Sequence, residues 1–158
     1  MRYLFIARHG EDCRKFLTDQ GVKDVEALAR SIHIDFDHAS GKIISSSAMR
    51  TKRTAGVLHD RLGLPIPEFL DYLWTGDNKT KKPHFKRYDR DSKDKLMEII
   101  DEHSQGIDAL IVVAHYEICE DLPKFIAQQY EIKYPSVPIS KGHAVVFDLE
   151  ERTYKFIP

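Results

Sequence analysis

Residues 109–114 read ALIVVA, an unbroken apolar run with no polar alternation, and it stops at His115. A strand that is apolar on both sides must be covered on both sides, which calls for a central place in a parallel sheet with helices packed against each face. The first apolar run, Tyr3 to Ala7, is rich in strand-favouring residues and breaks off in the same way, at Arg8-His9-Gly10.

Between and after these runs the apolar period changes to that of helices. Thr18 is placed to cap a helix from Asp19 to Ser31, on which Val22, Val25, Leu28, Ala29 and Ile32 recur at helical spacing. Lys42 to Ser45 reads as a short strand. Ser45-Ser46-Ser47 then offers cap residues for a helix ending at Leu62 before Gly63 and Pro65, with Met49, Ala55, Val57, Leu58 and Leu62 as its apolar face. Ile66 to Phe69 reads as a third short strand. From Trp74 to Lys95 the pattern turns polar and loses period, and the basic stretch Lys79 to Arg90 reads as a solvated surface loop. Helices follow over Asp91 to His103 and Glu117 to Gln129, and Ala144 to Leu149 with Thr153 to Ile157 form a closing hairpin around Glu150-Glu151-Arg152.

Alternating strands and helices predict one α/β domain over residues 1–158: a three-layer α/β/α arrangement with a mostly parallel central sheet and an antiparallel edge strand. With 24 basic residues against 25 acidic ones, overall charge gives no reason to expect nucleic acid or a membrane as partner. Cys13 and Cys119 are too few for a disulfide framework and read as structural thiols, so a cytoplasmic, reducing setting is expected. No cysteine and histidine run has metal-ligand spacing.

Two strand candidates thus end at a histidine, His9 and His115. Ligand sites of open α/β sheets gather at the carboxyl ends of strands, so the two imidazoles are expected to share a crevice. Arg50 falls in the first turns of the helix after another strand end and can point into the same place. Two imidazoles and two guanidiniums, Arg8 and Arg50, with helix N-termini nearby, make an anion site, and phosphate is the anion that planar guanidinium forks suit best. A charged His115 would add one more donor.

Arg8-His9-Gly10 after a strand, Leu17-Thr18 with Gly21 opening the first helix, Ser46-Ser47 with Arg50 and Thr54-Ala55, and His115 after an apolar strand resemble, in this order, the signature of the histidine phosphatase (phosphoglycerate mutase-like) superfamily. The short chain and closing hairpin make it most similar there to the SixA-type phosphohistidine phosphatases. The resemblance implies a phosphoglycerate mutase-like fold and a two-step transfer without metal or other cofactor. Neutral His9 attacks phosphorus, Arg8, Arg50 and His115 hold the phosphoryl oxygens, and water cleaves the phospho-His9 intermediate. A backbone carbonyl is expected to accept from the second ring nitrogen of His9 and so fix its tautomer.

Relatives that act on alkyl phosphates need a proton donor for the departing alkoxide, usually a carboxyl group after the third strand; Asp71 is the match, with Asp77 and Glu11 behind it. Three features depart from the family pattern: a short stretch from Gly10 to Leu17, Arg53 where glutamine is common, and Tyr116 after the final histidine. His33, His38, His59, His84, His103 and His143 read as surface or packing residues.

The expected function is removal of a phosphoryl group from phosphohistidine on a protein, such as a histidine phosphotransfer domain or a phosphocarrier, by a monomer with a shallow, open site. A phosphatase of a small phosphomonoester or nucleotide, with Asp71 as acid, is the alternative from the same chemistry. A module that binds a phosphorylated partner without turnover is the alternative from another class.

Overall fold

The computed structural model describes residues 1–35, 40–75 and 83–158, with only the backbone of 33–35. Strand β1 (Tyr3–Arg8) is followed by a two-stranded hairpin, β2 (Asp12–Cys13) and β3 (Phe16–Leu17), and by helix α1 (Asp19–Asp35). Then come β4 (Gly41–Ser46), α2 (Met49–Leu62), β5 (Glu68–Leu70) and a 3-10 turn over Asp71–Leu73. Helix α3 (Arg90–His103), β6 (Ala109–Ala114), α4 (Tyr116–Gln129), β7 (Ala144–Asp148) and β8 (Thr153–Ile157) complete the order.

Six strands form one sheet in the order β5-β4-β6-β1-β7-β8. The first four are parallel, and β7 and β8 are each paired antiparallel to the preceding neighbour. All six residues of the ALIVVA strand are buried, because β6 lies between β4 and β1 with helices on both sides. Leu4, Ile6, Leu110 and Val112 pack on α3 and α4 through Leu96, Ile100, Ile118 and Leu122. On the opposite face Phe5, Ala7, Ile111 and Val113 meet Val25 and Leu28 of α1 and Ala55 and Leu58 of α2. These are the three layers expected, and burying both faces of the central strands is what the unbroken apolar runs are for.

Several boundaries differ from the sequence reading. Helix α1 continues one turn past Ser31, drawn on by Ile32, which is fully buried. The serines before α2 are not its caps. Ala48 occupies that position without a side-chain bond, while Ser46 Oγ accepts from the Ala48 N–H at 3.3 Å and Ser47 turns to Asp71. On α2 itself Met49 is exposed, and Thr51 and Thr54 are buried in its place. Thr51 satisfies its hydroxyl on the Ser46 and Ala48 carbonyls, which anchors the first turn to the end of β4. The third strand begins at Glu68, and Ile66 is 81% exposed.

Residues 79–82 of the expected surface loop lie outside the described residues, and so does Asp77. The part of the loop that is described is not simply solvated. Phe85 is buried in the core, and Arg87 grips Asp121 of α4 through two bonds of 3.1 Å. Asp89 then caps α3 by accepting from the Asp91 N–H. Among the described residues no helix is long and apolar enough to cross a membrane.

Candidate active site

The register of the parallel strands brings the candidate residues to one edge of the sheet. Arg8 at the end of β1 is level with Ala114 at the end of β6, and Ser45 of β4 is level with Val113. His9, Ser46 and His115 therefore emerge side by side, and the first turns of α2 bring Arg50 over them. The His9 and His115 rings meet edge to face with centroids 5.5 Å apart.

Arg50 bridges the two rings. Its Nε donates to Nε2 of His9 at 3.2 Å, and its Nη2 donates to Nδ1 of His115 at 3.1 Å. A guanidinium can only donate, so both of these ring nitrogens must be acceptors. The remaining nitrogens then carry the protons. His9 Nδ1 donates to the Gly10 carbonyl at 2.8 Å, and His115 Nε2 donates to Ser46 Oγ at 2.9 Å. One arginine thereby fixes the tautomer of both imidazoles and leaves the lone pair of His9 facing the crevice. His9 Nδ1 also lies 3.6 Å from Asp12, whose carboxylate is paired with Lys141 at 2.7 Å.

The electrostatics agree with this proton count. Burial pushes His9 down to about 4, with the Gly10 carbonyl opposing and the Arg50 charge reinforcing the shift. Burial pushes His115 to about 3, helped by the charge of Arg50. Sequence alone suggested a charged His115 as a donor. In the free site it is neutral, because it is 3% exposed and already faces a fixed cation.

Arg8 is held differently from Arg50. Its Nη1 donates to the Ile139 carbonyl at 3.2 Å, and its guanidinium carbon stands 5.1 Å from the ring centroid of Tyr116. Its Nε is buried and has no hydrogen-bond partner among the described residues. Tyr116, which departed from the family pattern, is thus the platform on which Arg8 rests.

The loop after β1 is compressed against α1 and α2. The Gly10 N–H donates to Thr54 Oγ1 at 3.0 Å, and a Cβ on Gly21 would stand 2.1 Å from the Glu11 carbonyl oxygen. Only glycine at position 21 lets the start of α1 come this close. Thr18 Oγ1 accepts from the Gly21 N–H at 3.0 Å, so it serves as the expected cap.

Asp71 begins the 3-10 turn after β5 and accepts from Ser47 Oγ at 2.5 Å. Glu11 is exposed and accepts from Thr18 Oγ1 at 3.4 Å. Sequence reasoning gave no role to Asp12, Lys141 or the Ile139 carbonyl, and took Ser46 as a helix cap and part of the family signature, not as the partner of His115. Only Ser46 left a signal, as the last residue of a strand beside two strands that end at histidines. Cys119 is buried, with its thiol pushed up to about 12 by burial, whereas Cys13 is exposed on the hairpin.

No protein-family model matches the sequence, and no curated protein does. Solved structures do match over nearly the full length. A protein of Agrobacterium tumefaciens assigned as the phosphohistidine phosphatase SixA superposes with a TM-score of 0.68 at 14% identity, covering 99% of this chain and 96% of that one. The chain has the histidine phosphatase fold. A mycobacterial glucosyl-3-phosphoglycerate phosphatase shares it at a TM-score of 0.63 and 17% identity, over 98% of this chain and 96% of that one. The protein histidine phosphatase SixA, in complex with tungstate, matches at 0.56 and 19% identity, over 98% and 93%. Histidine phosphatases of this fold thus include enzymes named for phosphohistidine and for a small phosphate ester.

Proposed function

We propose that this chain is a phosphatase that takes a phosphoryl group onto Nε2 of His9, and that its substrate is phosphohistidine on a protein. The observation that carries the reading is the state of His9. The ring is neutral, its Nδ1 proton is committed to the Gly10 carbonyl, and the lone pair on Nε2 is turned toward a guanidinium that suits a phosphoryl oxygen.

In the first step the Nε2 lone pair attacks phosphorus and the bond from phosphorus to the substrate nitrogen breaks. That electron pair stays on the departing imidazole, which leaves neutral because its other nitrogen already carries a proton. Arg50 moves from Nε2 of His9 to the phosphoryl oxygens as the substrate enters, and Arg8 offers its unpartnered Nε. The phosphoryl charge offsets the Arg50 charge that adds to burial in keeping His115 neutral, so His115 can take a proton on Nδ1 and donate to the same group. Water then attacks phospho-His9, giving inorganic phosphate and the free ring.

A small phosphomonoester would need a protonated carboxyl group for its alkoxide. Asp71, the expected acid, is engaged by Ser47 Oγ at 2.5 Å. A leaving imidazole has no such need, and this favours phosphohistidine. The free thiols Cys13 and Cys119 suit a cytoplasmic setting. Rates on phosphoramidate, a phosphohistidine peptide and a set of alkyl phosphates test the reading. Turnover of the nitrogen-linked donors, unchanged in Asp71→Asn, is expected. Preference for the alkyl phosphates, lost in Asp71→Asn, would give the site to the small ester.

A further inference from the structure

Beside the reaction centre, a cavity of about 410 Å³ runs between the β2–β3 hairpin and the outer side of α2. Its apolar wall is Phe16, Leu17 and Val22, with Val57 opposite. Phe16 is 56% exposed, a large hydrophobic side chain held open to solvent over this wall.

The cavity adjoins the candidate site through both of its sides. The hairpin begins at Asp12, 3.6 Å from His9, and the cavity's Lys52 and Arg53 lie two and three residues after Arg50 on α2. Side chains on a helix lean toward its N-terminus, so Arg53 leans toward the Arg50 end. Arg53 makes no ion pair among the described residues, whereas Lys52 lies over the Phe69 ring at 5.0 Å. Asp60 closes the other end of the cavity. The walls therefore run from cationic near the reaction centre, through apolar, to anionic.

Gly56 sits at the middle of this run, inside α2. Glycine is the poorest helix former after proline. A Cβ added at this position would meet nothing within 4 Å, so packing within the chain gives no reason for a bare backbone here. Its effect is to keep the cavity open.

We propose that this groove binds an extended segment of the phosphorylated protein substrate, next to the phosphohistidine, with an acidic residue toward Arg53, an apolar residue over Gly56 and a basic residue toward Asp60. Arg53 and Asp60 are seven residues apart on a helix, roughly 10 Å along its axis, which an extended chain spans in about three residues. The inference rests on the proposed phosphohistidine reading and names the part of the substrate that the reaction centre does not touch.

The test uses phosphoramidate, which reports on the reaction centre alone, and a phosphohistidine peptide carrying the acid, apolar and base pattern. Gly56→Leu and Arg53→Glu should leave phosphoramidate turnover unchanged and lower kcat/KM for the peptide about tenfold. A peptide with lysine in place of the acid should recover on Arg53→Glu. Equal peptide kinetics in wild type and both variants would overturn the groove while leaving the phosphatase intact. If wild type turns over no donor at all, the phosphatase reading is the one that fails, and fluorescence anisotropy of the labelled peptide decides the groove: binding lost in Gly56→Leu supports it, and binding unchanged overturns it. Self-association that Gly56→Leu abolishes, with peptide kinetics untouched, would assign the groove to a second copy of the chain and also overturn the proposal.

Discussion

Arg50 stands with its Nε 3.2 Å from Nε2 of His9, and the same guanidinium reaches Nδ1 of His115 at 3.1 Å. This one side chain fixes the tautomers of two imidazoles and adds its charge to the burial that keeps both neutral before any substrate arrives. Replacing it by methionine removes the fixed cation and both donors. His9, at about 4, and His115, at about 3, should then both titrate at higher pH. Imidazole titration by NMR reads this directly; unchanged midpoints in Arg50→Met would mean that the arginine does not set the charge state. Activity should fall by at least about a hundredfold, as for loss of a preorganised charge on a transferring group.

Burial of neutral His9 also shapes stability. An ordinary imidazole takes up a proton near 6.5, whereas folded His9 waits until about 4. Between these values the unfolded chain binds more protons, so the His9 contribution to stability falls as pH drops from 6.5 to 4 and levels off below. The shift corresponds to about 3 kcal/mol. Urea unfolding of wild type and His9→Gln across this window should show the wild type losing more stability on acidification. Parallel loss in both would remove His9 as the cause.

Tyr116 supports Arg8 by its ring, so Tyr116→Phe should keep nearly full activity. Tyr116→Ala should lose roughly fivefold in kcat/KM, in line with a cation–π contact of about 1 kcal/mol. The loss should appear with phosphoramidate as well as with larger donors, because it acts through the phosphate grip. An effect confined to larger donors would make Tyr116 a wall of the substrate site instead.

Gly21 is the closest backbone approach in the site loop. Gly21→Ala places a methyl against the Glu11 backbone and should destabilise the fold by about 3 kcal/mol, read by urea unfolding. A variant with wild-type stability would mean that the loop shifts freely, and the positioning of His9 would then need another cause.

Much of the site's geometry was legible in the sequence because the candidate residues sit where strands end. The runs before His9 and His115 fixed two neighbouring strands, and parallel register did the rest. The partners of Arg8 were not legible, since Ile139 is far along the chain and contributes only a carbonyl. Nor was the burial of Thr51 and Thr54 on α2. Their hydroxyls are satisfied by the helix's own carbonyls and by Ser46, a saving that a polarity pattern does not reveal. The neutral state of His115 in the free site was not legible for a related reason: residue type gives the ordinary imidazole, and only the packed crevice with Arg50 across it gives the neutral one.

The most direct measurement is to incubate the chain with labelled phosphoramidate, quench in alkali and locate the label. The account predicts phosphate that is stable to alkali, labile to acid, carried on His9 and absent from His9→Ala. Label that persists in His9→Ala, or turnover with undiminished rate in that variant, would contradict it.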